Sequence, residues 1–177
     1  MKIVRFVLTG LALAVAGLVA IGLLLPSQFR VERSERIEAT PAKIYPLLAD
    51  PREWKKWSAW NRRDPNMKIT YSGPPSGVGA GWSWESASEG TGNMTFTAAE
   101  PGRSLDYALS FPSMGMASRG VLILAPEGAA TRVSWTNEGD VGKNPLYRLV
   151  VPFMDAMVGP DFSAGLANLK TLVEKNG

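Results

Sequence analysis

The sequence has no cysteine and no histidine among its 177 residues. Without cysteine there is no disulfide framework, no thiolate nucleophile and no Cys-ligated zinc or iron–sulfur site. Without histidine the commonest general base and the commonest metal ligand are both missing. A Ser-His-Asp triad and a histidine-held haem are excluded. An excess of one charge is also lacking, since 19 Lys and Arg stand against 16 Asp and Glu. Lys2 and Arg5 are the only charges in residues 1–25, so the remainder carries 17 basic and 16 acidic residues. That balance is not the electrostatic footprint of a nucleic-acid binder.

What the sequence does have is one long apolar run. Phe6 to Leu25 is 20 residues without a charge. As a helix it is about 30 Å long, the thickness of a bilayer's hydrocarbon core. Lys2 and Arg5 precede it, and the positive-inside tendency then leaves the N-terminus cytoplasmic. The rest of the chain is expected in a periplasm or outside the cell. A cleaved signal peptide is the competing reading, with Lys2 and Arg5 as its basic region. Its apolar core is usually about 7–15 residues, shorter than this run, and no Ala-x-Ala pattern follows in Leu23-Leu24-Leu25-Pro26-Ser27. The expected organisation is a transmembrane anchor over residues 1–26 and one domain over 27–177.

That domain reads as strand, helix, strands, helix. Phe29, Val31 and Ile37 alternate with Arg30, Glu32 and Arg36, a strand whose register slips near Ser34. Thr40-Pro41 predicts a helix start with Thr at the N-cap and Pro at N1, and Ile44, Leu47 and Leu48 form its apolar face. Asp50-Pro51 stops it, and the stretch from Pro51 to Trp60 suggests another helix. From Met67 the chain turns to short alternating runs. Met67, Ile69 and Tyr71 share a face, as do Trp82 and Trp84, then Met94, Phe96 and Ala98. Leu105, Tyr107, Leu109 and Phe111 follow, then Val121, Ile123 and Ala125, then Val133 and Trp135. Gly and Pro clusters separate the runs at a spacing typical of an antiparallel meander, giving about seven strands. No segment suggests a βαβ crossover, so an α+β protein is expected. Leu146 to Met157 is apolar and helical although Pro152 interrupts it. Pro160 suits the first turn of a further helix. Phe162, Leu166, Leu169 and Val173 form its core-facing stripe, and Asn176-Gly177 ends it.

Four stretches within residues 30–175 resemble the START/Bet v 1-like superfamily, also called SRPBCC or the polyketide cyclase and lipid-transport family. They are Val31-Glu32-Arg33-Ser34 with Ala39-Thr40-Pro41, Trp57-Ser58-Ala59-Trp60, Gly77-Val78-Gly79-Ala80-Gly81-Trp82, and Gly165-Leu166 with Leu169-Lys170. The resemblance implies a helix-grip fold, in which a curved antiparallel sheet wraps a long C-terminal helix around a deep apolar cavity. It does not fix the function, because this fold hosts carriers, cyclases and receptors.

Given that fold, strand and helix parity point Trp84, Tyr107, Phe111, Trp135, Phe153, Met157 and Phe162 inward as candidate ligand-binding residues. Trp57 and Trp60 join them, since Trp54, Trp57 and Trp60 share one face if their segment is helical. They either plug the end of the sheet or line a cavity mouth. Met114 and Met116 add adaptable surface beside the entrance. Lys55, Lys56, Arg62 and Arg63 read as a solvated face. The glycines from Gly77 to Gly81 precede a strand rather than a helix, so they form a hairpin loop and not a phosphate cradle; the resemblance implies that this loop borders the cavity entrance. Glu85 and Asp106 fall on outward parities. Asp155, set among Val151, Phe153, Met154 and Met157, is the one carboxylate whose burial would raise its pKa and suit it to acid–base work.

These residues predict a membrane-anchored binding or carrier module for a lipid or other apolar small molecule, without metal or organic cofactor. A cyclase- or hydrolase-like enzyme using a buried carboxylate is the second expectation. A ligand-free interaction domain of the cell envelope is the third.

Overall fold

The computed structural model describes residues 2–175, and at Met114 the backbone alone. The expectations placed on the Met114 side chain and on Asn176-Gly177 lie outside the described residues. Helix α1 spans Lys2–Leu24, and β1 (Gln28–Ile37) follows after three residues. Next come α2 (Pro41–Ala49), α3 (Trp54–Trp57) and α4 (Ala59–Arg63). Six strands complete the sheet: β2 (Lys68–Ser72), β3 (Gly81–Ser86), β4 (Gly90–Glu100), β5 (Ser104–Phe111), β6 (Met116–Glu127) and β7 (Ala130–Asp140). Then α5 (Pro145–Arg148), a 3₁₀ turn at Val151–Phe153 and α6 (Met154–Lys175) follow.

The seven strands are antiparallel in the order β1-β7-β6-β5-β4-β3-β2. Successive hairpins carry the chain from β2 to β7, and β1 closes on the far side of β7. Helix α6 crosses this sheet and packs on β1, α3 and α4, which makes a helix-grip fold. Its stripe of Phe162, Leu166, Leu169 and Val173 is buried, as spacings of four, three and four on a 3.6-residue helix require. Gly165 lies in the same stripe, and a Cβ there would stand 3.2 Å from the Trp135 ring. Three registered strand pairs each match an aromatic with a glycine: Trp84 with Gly92, Tyr107 with Gly120, and Phe29 with Gly139. A Cβ at any of these glycines would collide with the ring. Each ring thus lies flat across its partner strand, filling space that a second side chain would contest.

Four details depart from the sequence expectations. β1 has no register slip. Arg33 and Glu35 keep the same parity as Val31 and Ile37, and reach instead to Asp155 and Lys170 on α6. In β6 the inward set is Gly120, Leu122 and Leu124, while Ile123 and Ala125 face out. Both parities are apolar there, so alternation cannot choose the face. A bulge between Phe96 and Ala98 leaves Ala98 exposed. Lastly, α6 starts at Met154 and runs through Pro160 unbroken. Proline forgoes one intrahelical bond, but buried Met154, Gly159 and Phe162 around it hold the helix in place.

Candidate functional site

The segment from Trp54 to Arg63 is two short helices, not one. Ser58 has extended backbone (φ −60°, ψ 133°) and breaks α3 from α4. This splits the three tryptophans. Trp54 and Trp57 point into the core, where their indole N–H groups donate to the carbonyls of Leu48 (2.8 Å) and Leu47 (3.0 Å). Trp60 turns toward the end of the sheet instead. The ring of Trp54 meets Trp57, Trp82 and Trp135 at centroid distances of 4.5, 5.1 and 5.6 Å. Trp135 stacks on Phe162 at 4.0 Å. These rings fill the middle of the grip.

Beside these rings, among the described residues, lie two mainly apolar cavities. One is about 80 Å³ and is lined by Trp54, Ser58, Trp60, Trp82, Trp84 and Met94, with Asn61, Met67 and Glu89 at its margin. The other, about 150 Å³, is lined by Tyr107, Met116, Asn137, Met154, Val158 and Phe162, among others. Trp60, Leu109 and Phe111 line both, so these side chains form the wall between them. Each cavity is smaller than a typical small-molecule site of roughly 300–1,000 Å³.

The polar groups here are few and unusually placed. The Tyr107 hydroxyl accepts hydrogen bonds from Trp135 Nε1 (2.9 Å) and Asn137 Nδ2 (3.1 Å). Burial pushes its pKa up to about 12, with those two donors partly offsetting the shift. The phenol is therefore neutral, and its own proton has no acceptor among the described residues. Ser58 Oγ and Trp84 Nε1 are buried with no hydrogen-bond partner, and both residues line the smaller cavity. Ser58 occupies the N-cap position of α4 yet makes no cap bond, so its hydroxyl is free. A buried polar group left unpaired costs about 1–3 kcal/mol. Sequence reasoning missed Ser58; its only signal was a capping residue between two tryptophans.

Arg63, at the end of α4, bridges two other elements. It pairs with Glu89 (3.0 Å) beyond β3 and with Asp161 on α6. Trp60 Nε1 donates to the same Asp161 (3.0 Å). Arg63, expected on a solvated face, is thus tied at both ends.

Of the ten candidate ligand-binding residues, Trp60, Trp84, Tyr107, Phe111, Met116 and Phe162 line one cavity or both. Trp57 and Trp135 lie behind them in the core. Phe153 and Met157 line neither, and are 61% and 60% exposed. The 3₁₀ turn at Pro152 resets the helical phase, so Val151, Met154 and Val158 turn inward in their place. Asp155 is likewise on the outside. Its carboxylate receives Arg33 at 2.7 and 2.9 Å, and those hydrogen bonds hold its pKa below the ordinary aspartate value. This is the opposite of a buried acid. The loop from Gly77 to Gly81 is pinned, with Gly77 N–H donating to Ala49 and Gly79 N–H to Phe96, and it lines neither cavity.

The fold recurs in solved structures. Norcoclaurine synthase from a Thalictrum species superposes with a TM-score of 0.66 at 14% identity, covering 84% of this chain and 96% of that one. The Mesorhizobium loti protein MLL2253 gives 0.61 at 17% identity, covering 84% and 98%. Aha1 from Colwellia psychrerythraea gives 0.59 at 21% identity, covering 82% and 96%. At these identities the likeness is one of fold. No curated protein sequence matches the chain. The sequence model that does match covers residues 28–174, from the first residue of β1 to near the end of α6, and the chain accordingly belongs to the polyketide cyclase/dehydrase and lipid transport family.

Proposed function

We propose that the protein is a membrane-anchored binding or carrier domain for a lipid or other apolar small molecule bearing a hydrogen-bond acceptor. The observation that carries this reading is the pair of adjoining aromatic cavities, the smaller with two buried unpartnered donors at its wall, Trp84 Nε1 and Ser58 Oγ. An apolar body gains from burial at roughly 25 cal/mol per Å². An acceptor atom on the ligand would relieve the desolvated donors. The family match supports the ligand class. A ligand of ordinary size requires Trp60, Phe111 and Met116 to swing aside. All three are only partly buried, so that movement does not open the core. Helix α1 is long and apolar enough to cross a bilayer, which would hold the cavity next to a reservoir of apolar ligands. Lys2 and Arg5 before it support a cytoplasmic start by the positive-inside tendency.

The test is the molecule that accompanies the purified full-length chain. Solvent extraction and mass spectrometry should find one apolar, oxygen-bearing species at near one per chain. Ser118 lines the larger cavity, so Ser118→Trp should abolish its retention without changing the melting temperature by more than a few degrees. No retained species would favour a ligand-free interaction domain, and one unaffected by Ser118→Trp would overturn this cavity as the binding site.

A further inference from the structure

We infer that the segment from Leu146 to Met157 is a membrane-contacting ridge, whose partner is the lipid bilayer itself; this rests on the reading of α1 as a membrane span. The ridge is a run of exposed apolar side chains. Leu146, Tyr147, Val150, Phe153 and Met157 are each between 41% and 61% exposed. Outside α1, the described residues expose only Val78 and Ile123 as further large hydrophobics, and these stand alone. Scattered single hydrophobics need no explanation, but five within twelve residues form a patch that does.

The tether to α1 says what covers the patch. Only Leu25, Pro26 and Ser27 separate α1 from β1. The Ser27 carbonyl already accepts a hydrogen bond from Val141 N–H at 2.9 Å. Two residues are therefore left to span from the helix end to the folded domain, a reach of roughly 7 Å. The ridge begins five residues after Val141. Gly22 is the one buried residue of α1, because a Cβ there would collide with the carbonyl of Pro145, where α5 begins. If α1 crosses the bilayer, α5 lies at the depth of its last turn, within the interface.

The chemistry of the ridge suits that depth. Between Pro145 and Val158 the only charged residues are Arg148 and Asp155. Asp155 is already paired with Arg33. Arg148 is an amphipathic cation of the kind that reaches to headgroups. Tyr147 has the ring-and-hydroxyl character favoured at membrane interfaces. Met154 and Val158, beside Phe153 and Met157 in sequence, line the larger cavity. The ridge thus places that cavity against lipid, and ligand exchanges with the bilayer along it.

The absence of cysteine from the chain makes the test direct. Single-cysteine variants V150C, F153C and M157C of the full chain are spin-labelled and placed in vesicles of phosphatidylcholine with phosphatidylglycerol. A14C in α1 and A167C on the exposed side of α6 serve as references. Collision with oxygen, which concentrates in lipid, is compared with collision with a water-soluble nickel chelate. Ridge labels should show an oxygen-to-nickel ratio several-fold above that of A167C and approaching that of A14C. If A14C reads lipid while the ridge matches A167C, the ridge inference fails and the anchor stands. If the ridge labels are shielded from both reagents, protein covers the patch and the inference also fails. If A14C itself reads water, the anchor reading falls and the ridge with it.

Discussion

Tyr107 ties β5 to β7 through a hydroxyl that accepts from both Trp135 and Asn137. Tyr107→Phe keeps the ring over Gly120 but strands those two buried donors. The expected loss is about 1–3 kcal/mol of stability, read from denaturant unfolding. The group also leaves a signature at high pH. Its folded pKa, near 12, lies above the ordinary value of 10.0. The native state thus holds a proton that the unfolded state releases, and stability from this group is full below pH 10 and falls as pH rises toward 12. The wild-type chain should lose on the order of 2–3 kcal/mol across that window relative to Tyr107→Phe. Equal slopes for the two proteins would show that the phenol is not buried as described. The inward position of Tyr107 was legible from the alternation of β5. Its partners were not, since Trp135 and Asn137 lie 28 and 30 residues away and meet it only when β6 is interposed. The same limit applies to Asp155. Its apolar neighbours in sequence suggested burial, and only the partner strand, with Arg33 122 residues away, shows why it faces out.

Helix α4 carries Trp60 into the wall shared by the two cavities. It has five residues, too short to be stable alone. It is held by Trp60 packing on Trp135 and Phe162 (5.8 and 6.1 Å) and by the Arg63 bridge to Glu89 and Asp161. Arg63 is about half exposed, so its ion pairs contribute little to global stability, roughly 0–1 kcal/mol. Their effect should instead be local. In Arg63→Gln, amide hydrogens of residues 59–64 should exchange several-fold faster, with the unfolding midpoint nearly unchanged. Salt should bring the wild-type rates toward those of the variant, because exposed pairs are screened. Unchanged exchange in Arg63→Gln would mean that Trp60 alone fixes the helix. The strands around α4 were readable wherever one parity was apolar, as in β5 and β7. They were unreadable where both were, as in β6, or where a bulge intervened, as in β4. The break at Ser58 was hidden because a capping serine between helix-forming neighbours fits a continuous helix nearly as well.

At the scale of the whole molecule, the order of elements was enough to name the fold, because a seven-strand meander ending in an amphipathic helix has few ways to bury both apolar faces. Cavity volume was not legible in the same way. It depends on how far rings from α3, β3 and β7 converge in the centre, and four tryptophans converging there fill the space that a deep central cavity would need. The remaining question at this scale is whether α1 stays with the domain. Its last turn is fitted to α5 through Gly22 and Pro145, and the Ser27–Val141 hydrogen bond fixes the exit of the chain from the helix. A cleaved signal peptide would need no such fit to the mature domain. The chain recovered from membranes should therefore retain residues 1–26 by intact mass, and resist extraction by high salt or carbonate. If the proposed topology holds, a reporter that works only outside the cytoplasm should be active when fused after Gly177. Gly22→Leu should separate α1 from α5 and leave the domain folded, while speeding proteolysis at Arg148 several-fold. A soluble product beginning near Pro26 or Ser27 would overturn the anchor and make residues 1–25 a targeting segment.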